Sequence, residues 1–376
     1  MSDMCHIHDQ EEHNLKAKSI CILLPGENIS PVGGYKVTYQ YANALSRKGY
    51  LVTIVHSVLP SKGLVTSMSR PLRTGLWLVG QLQRLGLLHQ KWFTLDRQVK
   101  SLNLTHITKE NLPNADIYIA TAVMTAYSVQ QFATSSALKY YFIQGYECWD
   151  VTEDFLLSTY HYPMNKIAIS PWLMEKISAE GEKAVYIPNG IDSNEFGLDI
   201  LPDHRNTKSI LFMSSSLQIK GTSDAIMALE TVKTKYPDIQ ACSFGTCKRP
   251  AKLPKWISYY KAPTKKLLRQ LYNNAAIFLG TSWTEGFGLT IAEAMACGCA
   301  VVCTRNGGYQ AVAHEDNSRI VPIQRPDLLA EQIIHLLEDP ILRLQLSKAG
   351  TQTVLQDFSL EKAQTAFVEY IARTSR

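Results

Sequence analysis

The stretch "WTEGFGLTIAEAMACG", residues 283–298, places two carboxylates eight positions apart around a glycine-rich turn. The preceding "AAIFLGTS" is a short apolar run, which predicts a buried strand that ends just before the turn. Residues 289–297 are mostly small and apolar and predict a helix packed closely on a sheet. In open α/β sheets, ligands bind beyond the carboxyl ends of the strands, so we expect this turn to line a crevice.

Glu285 precedes the predicted helix, and Glu293 lies about one turn inside it. Carboxylates in these places can accept hydrogen bonds from the hydroxyls of a sugar and a ribose, while the loop amides face an anionic group. Two other interpretations fit the same spacing. Glu285 can complement the helix dipole, with Glu293 simply exposed, or the two can hydrolyse a glycosidic bond as paired carboxylates.

Short apolar runs alternate with helical patterns along most of the 376-residue chain. A first series includes "SICILLP", "LVTIVHSV", "ADIYIATAV" and "KYYFIQGY", and a second begins with "SILFMSS" and includes "IQACSFG" and "AVVCTRNGG". Such alternation predicts parallel sheets with crossover helices, and the length favours two domains. We therefore expect an α/β fold with domains at residues 18–191 and 208–358 and a linker at 192–207.

The two ends of the chain differ in pattern. Residues 1–17 are polar and predict a disordered tail; its Cys5, His6, His8 and His13 could bind a metal, although their spacing fits no closed zinc site. Residues 359–376 have apolar positions at helical spacing after Ser359, a favourable helix cap, and predict a terminal helix.

Composition narrows the class of protein and its partners. A formal charge of +5 is too small for a dedicated nucleic-acid binder, so we expect no nucleic-acid partner. The eight cysteines have no framework spacing, and no run of eighteen apolar residues or signal-peptide pattern is present. These features predict a cytoplasmic protein without disulfides.

A second glycine-rich segment, "LLPGENISPVGGYKV", lies between a predicted buried strand and a helix. Gly26, Gly33 and Gly34 would let the backbone approach a phosphate, and the helix N-terminus behind them would supply free N–H groups. The spacing is not GxGxxG, which argues against dinucleotide binding, and simple turn chemistry is an equally good explanation.

Several separated segments together resemble the retaining glycosyltransferases of family four. "EGFGLTIAEAMACGCAVVCTRNGG" resembles the family's E-x7-E segment with the strand and Gly-Gly turn after it, and "IPNGIDSNEF" resembles its interdomain signature. "KIAISPWLMEKI" and "IKGTSDAIMAL" resemble the strand and helix before that signature and the Lys-Gly segment. The resemblance implies a GT-B fold, two Rossmann-like domains facing a cleft, with the C-terminal helix returning to the N-terminal domain.

The resemblance also implies a donor site for a nucleotide sugar. Glu285 would bind hydroxyls of the donor sugar, Glu293 would bind the ribose diol, and Lys220 would neutralise a phosphate, so that Glu285 and Lys220 carry catalysis. Backbone amides would come from Gly286, Phe287, Gly288 and Leu289, while Gly33 and Gly34 would close over the diphosphate from the first domain. Converging amides, a helix N-terminus and a cation would stabilise the charge on the leaving group.

By the same resemblance, transfer would retain the anomeric configuration without a metal or other cofactor, and the sequence has no DxD motif. One departure concerns "MSSSLQIKG", which lacks the arginine that usually precedes Lys-Gly; Lys248, Arg249 or Arg305 could replace it. A second is Thr290 where proline is commoner. Two alternatives remain open: a non-catalytic nucleotide- or carbohydrate-binding protein, and a nucleotide-sugar epimerase.

The acceptor side is predicted at "YYFIQGYECWD". Many family members have a histidine there, whereas this chain has Gln144, Tyr146 and Glu147, which would bind a glycan or lipid-linked acceptor. Similar Gln-x-Tyr-Glu segments occur in members that build bacterial surface polysaccharides, so the resemblance implies such a role. The alternative is that Tyr146 and Trp149 are core residues.

Residues 70–93 combine basic side chains with leucines and two tryptophans. A basic amphipathic helix of this kind can lie on an anionic membrane, which predicts peripheral contact with the inner face of the plasma membrane. The alternative is an ordinary helical pair packed on the first domain. The residues concerned are Arg70, Arg73, Leu76, Trp77, Leu82, Arg84, Leu85, Leu88, Lys91 and Trp92.

Overall fold

The computed structural model describes residues 17–59, 70–149 and 151–375. The tail residues Cys5, His6, His8 and His13 lie outside this range. Within the described residues, no helix is both long and apolar enough to cross a lipid bilayer.

The first domain is a seven-stranded parallel sheet with the strand order β3-β2-β1-β4-β5-β6-β7. Its strands are β1 (Ser19–Leu24), β2 (Leu51–Ser57), β3 (Lys100–Leu104), β4 (Ile117–Ala120), β5 (Leu138–Ile143), β6 (Asn165–Ala168) and β7 (Ala184–Tyr186). Its helices are α1 (Gly33–Arg47), α2 (Arg70–Arg84), α3 (Val123–Phe132), α4 (Glu153–Tyr160) and α5 (Pro171–Ala179). The central strands are apolar throughout because helices cover the sheet.

The second domain is a six-stranded parallel sheet with the order β10-β9-β8-β11-β12-β13. Its strands are β8 (Ser209–Met213), β9 (Gln240–Gly245), β10 (Ser258–Lys261), β11 (Ile277–Gly280), β12 (Ala300–Thr304) and β13 (Ser318–Val321). Its helices are α6 (Thr222–Lys235), α7 (Lys265–Asn274), α8 (Leu289–Ala296), α9 (Pro326–Glu338) and α10 (Pro340–Asp357). The α/β prediction with two Rossmann-like domains is therefore confirmed.

The last helix, α11 (Leu360–Thr374), packs against α1 of the first domain, as expected. Tyr41 and Phe367 stack with ring centroids 4.2 Å apart, and Gln364 Nε2 donates to the backbone oxygen of Gln40 at 3.0 Å. The chain crosses between the domains twice, and the crossings meet where Ile191 bridges to Ser359. A Cβ on Gly190 would lie 2.5 Å from the Cα of Leu360, so this meeting point needs a glycine.

The interpretation of residues 70–93 as one amphipathic helix is wrong beyond Arg84, where α2 ends. Gly86, with φ +71°, takes the left-handed conformation that stops a helix. Trp92 then turns inward: its Nε1–H donates to the backbone oxygen of Asn28 at 2.8 Å, and its ring lies 5.7 Å from that of Tyr39. Trp92 is thus half-buried and packs against the core of the first domain.

Both sheets reverse their strand order at one place, between β1 and β4 in the first domain and between β8 and β11 in the second. At such a switch point the loops after the two central strands diverge to opposite faces and leave a crevice between them. The loops at residues 25–32, 214–221 and 281–288 follow β1, β8 and β11. The fold therefore brings all the predicted donor segments to the carboxyl edges of two sheets.

Candidate active site in the interdomain cleft

The two domains touch across the cleft at glycines. A Cβ on Gly33 would lie 2.8 Å from Leu289 Cδ1, and a Cβ on Gly286 would collide with the backbone oxygen of Gln144. Gly33 and Gln144 belong to the first domain, whereas Gly286 and Leu289 belong to the second. The glycine segment of the first domain therefore lies against the start of α8, and the turn after Glu285 lies against the backbone of Gln144.

Glu285 and Lys220 form an ion pair inside the cleft. Lys220 Nζ donates to Glu285 Oε1 at 2.7 Å, and Ser282 Oγ donates to the same oxygen at 2.7 Å. The side chains of Lys220 and Glu285 are 23% and 16% exposed, so both are reachable from the cleft. Lys220 ends a short 3-10 helix after β8 and Glu285 lies in the loop after β11, so adjacent strands deliver the pair.

The turn between Glu285 and α8 is tightly packed on both sides. Gly288 has φ +106°, and a Cβ there would lie 2.7 Å from the ring of Tyr309, so no other residue fits. Phe287 is 2% exposed and packs on Phe358 with ring centroids 5.5 Å apart, which anchors the turn in the second domain.

Two helix N-termini, those of α1 and α8, lie on either side of the contact between Gly33 and Leu289. In the described part of the chain, neither N-terminus receives a side-chain cap, and neither first turn holds an acidic residue. The free N–H groups and partial positive charge of such ends attract anions. Together with Lys220, this arrangement suits a diphosphate.

Glu293 is only 7% exposed, so its interpretation as a simply exposed glutamate is wrong. Tyr272 Oη donates to Glu293 Oε2 at 3.3 Å, and Lys36 Nζ donates to Glu293 Oε1 at 3.4 Å. Lys36 also pairs with Glu195 Oε2 at 2.9 Å. Burial raises the pKa of Glu293, and Lys36 and Tyr272 offset that only in part. Burial alone would lower the pKa of Lys36, but the two glutamates together raise it.

We expect Glu293→Gln to raise the melting temperature at neutral pH, because it removes a carboxylate whose charged form burial disfavours. An acid whose folded pKa is raised stabilises the fold at low pH and loses that contribution as pH rises through the folded value. Glutamine does not titrate. The melting temperature of Glu293→Gln should therefore exceed that of wild type by a margin that grows as pH rises above 4.5, the ordinary pKa of a glutamate. Thermal unfolding of both proteins from pH 4 upwards measures this difference in melting temperature. A difference that shrinks as pH rises would contradict a raised pKa of Glu293.

Lys36 was not identified from the sequence. Its signal is weak: a lysine three positions after Gly33, in the first turn of a helix predicted to face an anion. Its position becomes meaningful only when the fold places α1 opposite α8. Its Nζ also lies 4.7 Å from the ring centroid of Phe196 in the interdomain segment.

The predicted acceptor residues lie where β5 ends in the first domain. Gln144 Nε2 donates to Thr38 Oγ1 at 3.2 Å, and its Oε1 is buried without a hydrogen-bond partner among the described residues. Glu147 Oε2 accepts the backbone N–H of Val123 at 2.9 Å, at the start of α3. A Cβ on Gly34 would lie 3.2 Å from Gln144 Oε1, so Gln144 lies against the glycines of α1, whereas Glu147 is held at the start of α3.

The alternative that Tyr146 and Trp149 are core residues is wrong for Trp149, whereas Tyr146 packs against the core of the first domain. Trp149 is 64% exposed, and Tyr146 is half-buried. The Tyr146 hydroxyl donates to Glu153, and Lys176 Nζ lies 5.0 Å from the centre of its ring. Burial and the neighbouring Glu153 raise the pKa of Tyr146, which keeps its hydroxyl protonated.

Three cations were candidates to replace the missing arginine. Arg249 is engaged by the backbone oxygens of Leu253 and Pro254, and Arg305 pairs with Glu315 at 3.1 Å. Lys248 follows Cys247, whose Sγ lies 3.5 Å from Ser216 Oγ. Lys248 and Arg249 are thus both carried by the loop that touches the serine segment, and Arg249 is the one held by backbone oxygens of its own loop.

An open depression of about 700 Å³ lies where α1, the linker and α11 meet. Arg47, Trp92, Glu195, Lys265 and Gln364 are among its lining residues, whereas Lys220, Glu285 and Glu293 are not. It is therefore distinct from the cleft. Glu195 connects the two, since it lines the depression and pairs with Lys36.

Residues 201–353 match the family described as "Glycosyl transferases group 1". The chain is 28% identical over 223 residues to a phosphatidyl-myo-inositol mannosyltransferase of Mycobacterium tuberculosis, covering 54% of this chain and 58% of that one. It is 32% identical over 142 residues to a probable sucrose-phosphate synthase of Thermosipho melanesiensis, covering 34% and 33%. The chain thus spans little more than half the length of the mannosyltransferase.

Solved structures share the architecture. The sucrose-phosphate synthase of Thermosynechococcus elongatus superposes with a TM-score of 0.71 at 16% identity, covering 95% of this chain and 99% of that one. The Anabaena protein HepE, in complex with UDP and glucose, gives 0.68 at 15% identity, covering 95% and 100%. The chain therefore has the GT-B fold along nearly its whole length, and its residues 201–353 match the group 1 glycosyltransferases.

Proposed function

We propose that the chain is a retaining glycosyltransferase that moves a sugar from a nucleotide-sugar donor to a glycan or lipid-linked acceptor in cell-surface polysaccharide biosynthesis. The observation that carries the proposal is the convergence of two uncapped helix N-termini and Lys220 on the loop that holds Glu285. By their names, relatives transfer mannose to phosphatidyl-myo-inositol, and a structural neighbour holds UDP and glucose.

Binding of the donor would replace the ion pair between Lys220 and Glu285 by contacts of each side chain with the donor. An incoming diphosphate competes with Glu285 for Lys220, and the free amides at Gly286 to Leu289 add further donors to its oxygens. Glu285 Oε1, released from Lys220, accepts hydroxyls of the sugar while Ser282 keeps the carboxylate in place. Glu293, with its buried carboxylate, holds the ribose hydroxyls.

In the transfer step, the bond from the anomeric carbon to the leaving phosphate oxygen breaks, and a bond to the acceptor oxygen forms on the same face. The acceptor proton passes to the leaving phosphate oxygen. Negative charge grows on the diphosphate, where Lys220 and the two helix N-termini stabilise it. The proposed mechanism uses these groups in place of a resident metal or other cofactor, with Glu285 positioning the sugar.

The acceptor would enter from the first domain. Gln144 Oε1 is a buried acceptor of hydrogen bonds that has no partner among the described residues, and such a group favours a ligand hydroxyl. Glu147, fixed by the N–H of Val123, supplies a second acceptor nearby. Tyr146 completes the predicted acceptor set.

A panel of nucleotide sugars, assayed for nucleotide release with and without a glycan acceptor, tests the proposal. We expect one donor to turn over, with release accelerated by acceptor and a product of retained configuration by NMR. Release of nucleotide that no acceptor accelerates, giving only free sugar, would indicate a hydrolase and contradict transfer.

A second candidate is a non-catalytic nucleotide- or carbohydrate-binding protein. The specific observation in its favour is the serine segment in place of the phosphate-binding arginine, which removes one cation from the diphosphate site. Saturable binding of a nucleotide sugar without any turnover would favour this candidate over the transferase.

We also propose that the protein acts at the inner face of the plasma membrane, with α2 and the residues after it as the contact. Apolar side chains there are unusually open to solvent: Trp77 46%, Leu78 54%, Leu82 43%, Leu85 70% and Leu87 71% exposed. The exposed Arg84 and Lys91 lie within the same segment. Apolar groups flanked by cations are the pattern that anionic bilayers bind.

The double substitution Leu85→Ser and Leu87→Ser should reduce binding to vesicles of phosphatidylglycerol about tenfold. These two exposed leucines supply much of the apolar area that would be buried in the bilayer on binding. Sedimentation with vesicles measures the bound fraction. The matched control is Ile341→Ser with Leu355→Ser, two exposed residues of α10 that are 69% and 51% exposed. Equal binding by both double variants would remove the membrane proposal.

A further inference from the structure

Trp172, the second residue of α5, is a first-domain side chain that reaches two segments of the second domain. Its Nε1–H donates to the backbone oxygen of Gly286 at 3.2 Å. Its indole ring lies against Gly307, where any Cβ would collide with the ring. One side chain thus touches both the Glu285 turn and the Gly-Gly turn after β12.

The Gly-Gly turn lies between Trp172 and Glu285. A Cβ on Gly308 would lie 2.6 Å from the Cβ of Glu285 and would collide with the Glu285 backbone oxygen. Because Gly307 and Gly308 have no side chains, the turn is a thin layer of backbone between the indole ring and Glu285. Any displacement of the turn is therefore passed directly to Glu285.

Hydrogen bonds also join the Gly307–Gly308 turn to Ser282, the residue that donates to the Glu285 carboxylate. Asn306 Nδ2 donates to the backbone oxygen of Ser282 at 2.8 Å, and Asn306 Oδ1 accepts the N–H of Tyr309 at 3.0 Å. Tyr309 Oη donates to Ser282 Oγ at 3.2 Å, and Ser282 Oγ donates to Glu285. A buried hydrogen-bond network thus joins both sides of the turn to the Glu285 carboxylate.

We infer that Trp172 is a positioning residue: in the closed cleft it holds the Gly307–Gly308 turn and the Gly286 carbonyl, and so fixes the Glu285 carboxylate for reaction. The inference rests on the proposed function for the role of Glu285. Since Trp172 belongs to the first domain and Glu285 to the second, Glu285 is held in this way only when the domains meet. The ring of Tyr146, 6.2 Å away, places the predicted acceptor side next to the same indole.

Hydrogen–deuterium exchange of the full chain without ligand tests the inference independently of any activity. In Trp172→Ala we expect amides in residues 283–289 and 305–309 to exchange at least about fivefold faster, because their opening costs less free energy. Trp172→Phe, which keeps a ring but loses the N–H, should fall between Trp172→Ala and wild type. Unchanged exchange of both segments in both variants overturns the inference.

The matched control is Trp256→Ala. Trp256 also donates its Nε1–H, to Glu230 at 3.0 Å, but it precedes β10 and so lies at the amino edge of the second sheet, opposite the cleft. This variant should leave exchange at 283–289 unchanged. Equal acceleration in Trp256→Ala would show general loosening of the second domain and would overturn a specific role for Trp172.

Kinetics separate positioning from donor binding. With the donor identified by the panel, Trp172→Ala should lower kcat about 10- to 100-fold and leave the Kd of the nucleoside diphosphate within about threefold. A rise in Kd as large, in fold-change, as the fall in kcat would contradict a positioning role for Trp172. If wild type turns over no nucleotide sugar, the proposed function fails, while the exchange experiment still decides whether Trp172 orders the Glu285 turn.

Discussion

Glu285→Gln should lower kcat about 100- to 1000-fold while changing the melting temperature little. The carboxylate pairs with Lys220 and accepts from Ser282 at the edge of the cleft, so in the proposed mechanism its charge acts on the ligand rather than on the core. Loss of one preorganised polar group in an active site typically costs this much in rate. Steady-state kinetics with the best donor and thermal unfolding of the same preparation measure the two effects.

The control for charge removal is Glu315→Gln. Glu315 also pairs with a cation, Arg305, at 3.1 Å, but its side chain is 63% exposed, and exposed pairs contribute little. This variant should keep wild-type activity. Near wild-type kcat in Glu285→Gln would show that Glu285 has no part in the reaction.

Gly286→Ala should lower kcat/KM at least about 100-fold because it keeps the domains apart. A Cβ at this position would collide with the Gln144 backbone oxygen, which cannot move as a flexible side chain does. Gly286 has no left-handed φ, so alanine is compatible with the local backbone and the second domain should fold normally. A larger radius of gyration in X-ray scattering, together with the kinetics, measures the effect.

Gly75→Ala is the matched control, since a Cβ there meets nothing within 4 Å. It should be as active as wild type. Binding of the nucleoside diphosphate to Gly286→Ala should stay within about threefold of wild type, because most residues of the proposed donor site belong to the second domain. Full activity in Gly286→Ala would mean that the observed contact between the domains is not needed for reaction.

The sequence predicted the second domain closely because its signals are local. The buried strand β11, the glycine turn and helix α8 follow one another within residues 277–296, and each has an unambiguous pattern. Ser359 caps α11 as expected, with its Oγ accepting the N–H of Lys362 at 3.3 Å. Features set by neighbouring residues can be read from the residues themselves.

Two edge strands were missed for a physical reason. β3, "KSLNL", is largely exposed, and β7 has only three residues. Edge strands lack burial on both faces and so lack the continuous apolar run that marked the central strands.

The cross-domain contacts could not be predicted because they join residues far apart in sequence. Lys36 meets Glu293, and Trp172 meets Gly286, only after two sheets have folded and closed on each other. The segment "KIAISPWLMEKI", which contains Trp172, predicts only a strand and a helix, and an indole in a helix is usually a packing residue. Composition and periodicity carry no information on which side chains meet across a cleft.

The most direct test of the account is a crystal structure with the nucleotide sugar that the panel selects, in which the distance between Lys220 Nζ and Glu285 Oε1 is measured. In the structure described above this distance is 2.7 Å. We predict that Lys220 moves to a diphosphate oxygen, that the amides at the start of α8 donate to the same group, and that Glu285 accepts sugar hydroxyls. A bound nucleotide sugar that leaves the Lys220–Glu285 pair intact and lies elsewhere would contradict the account.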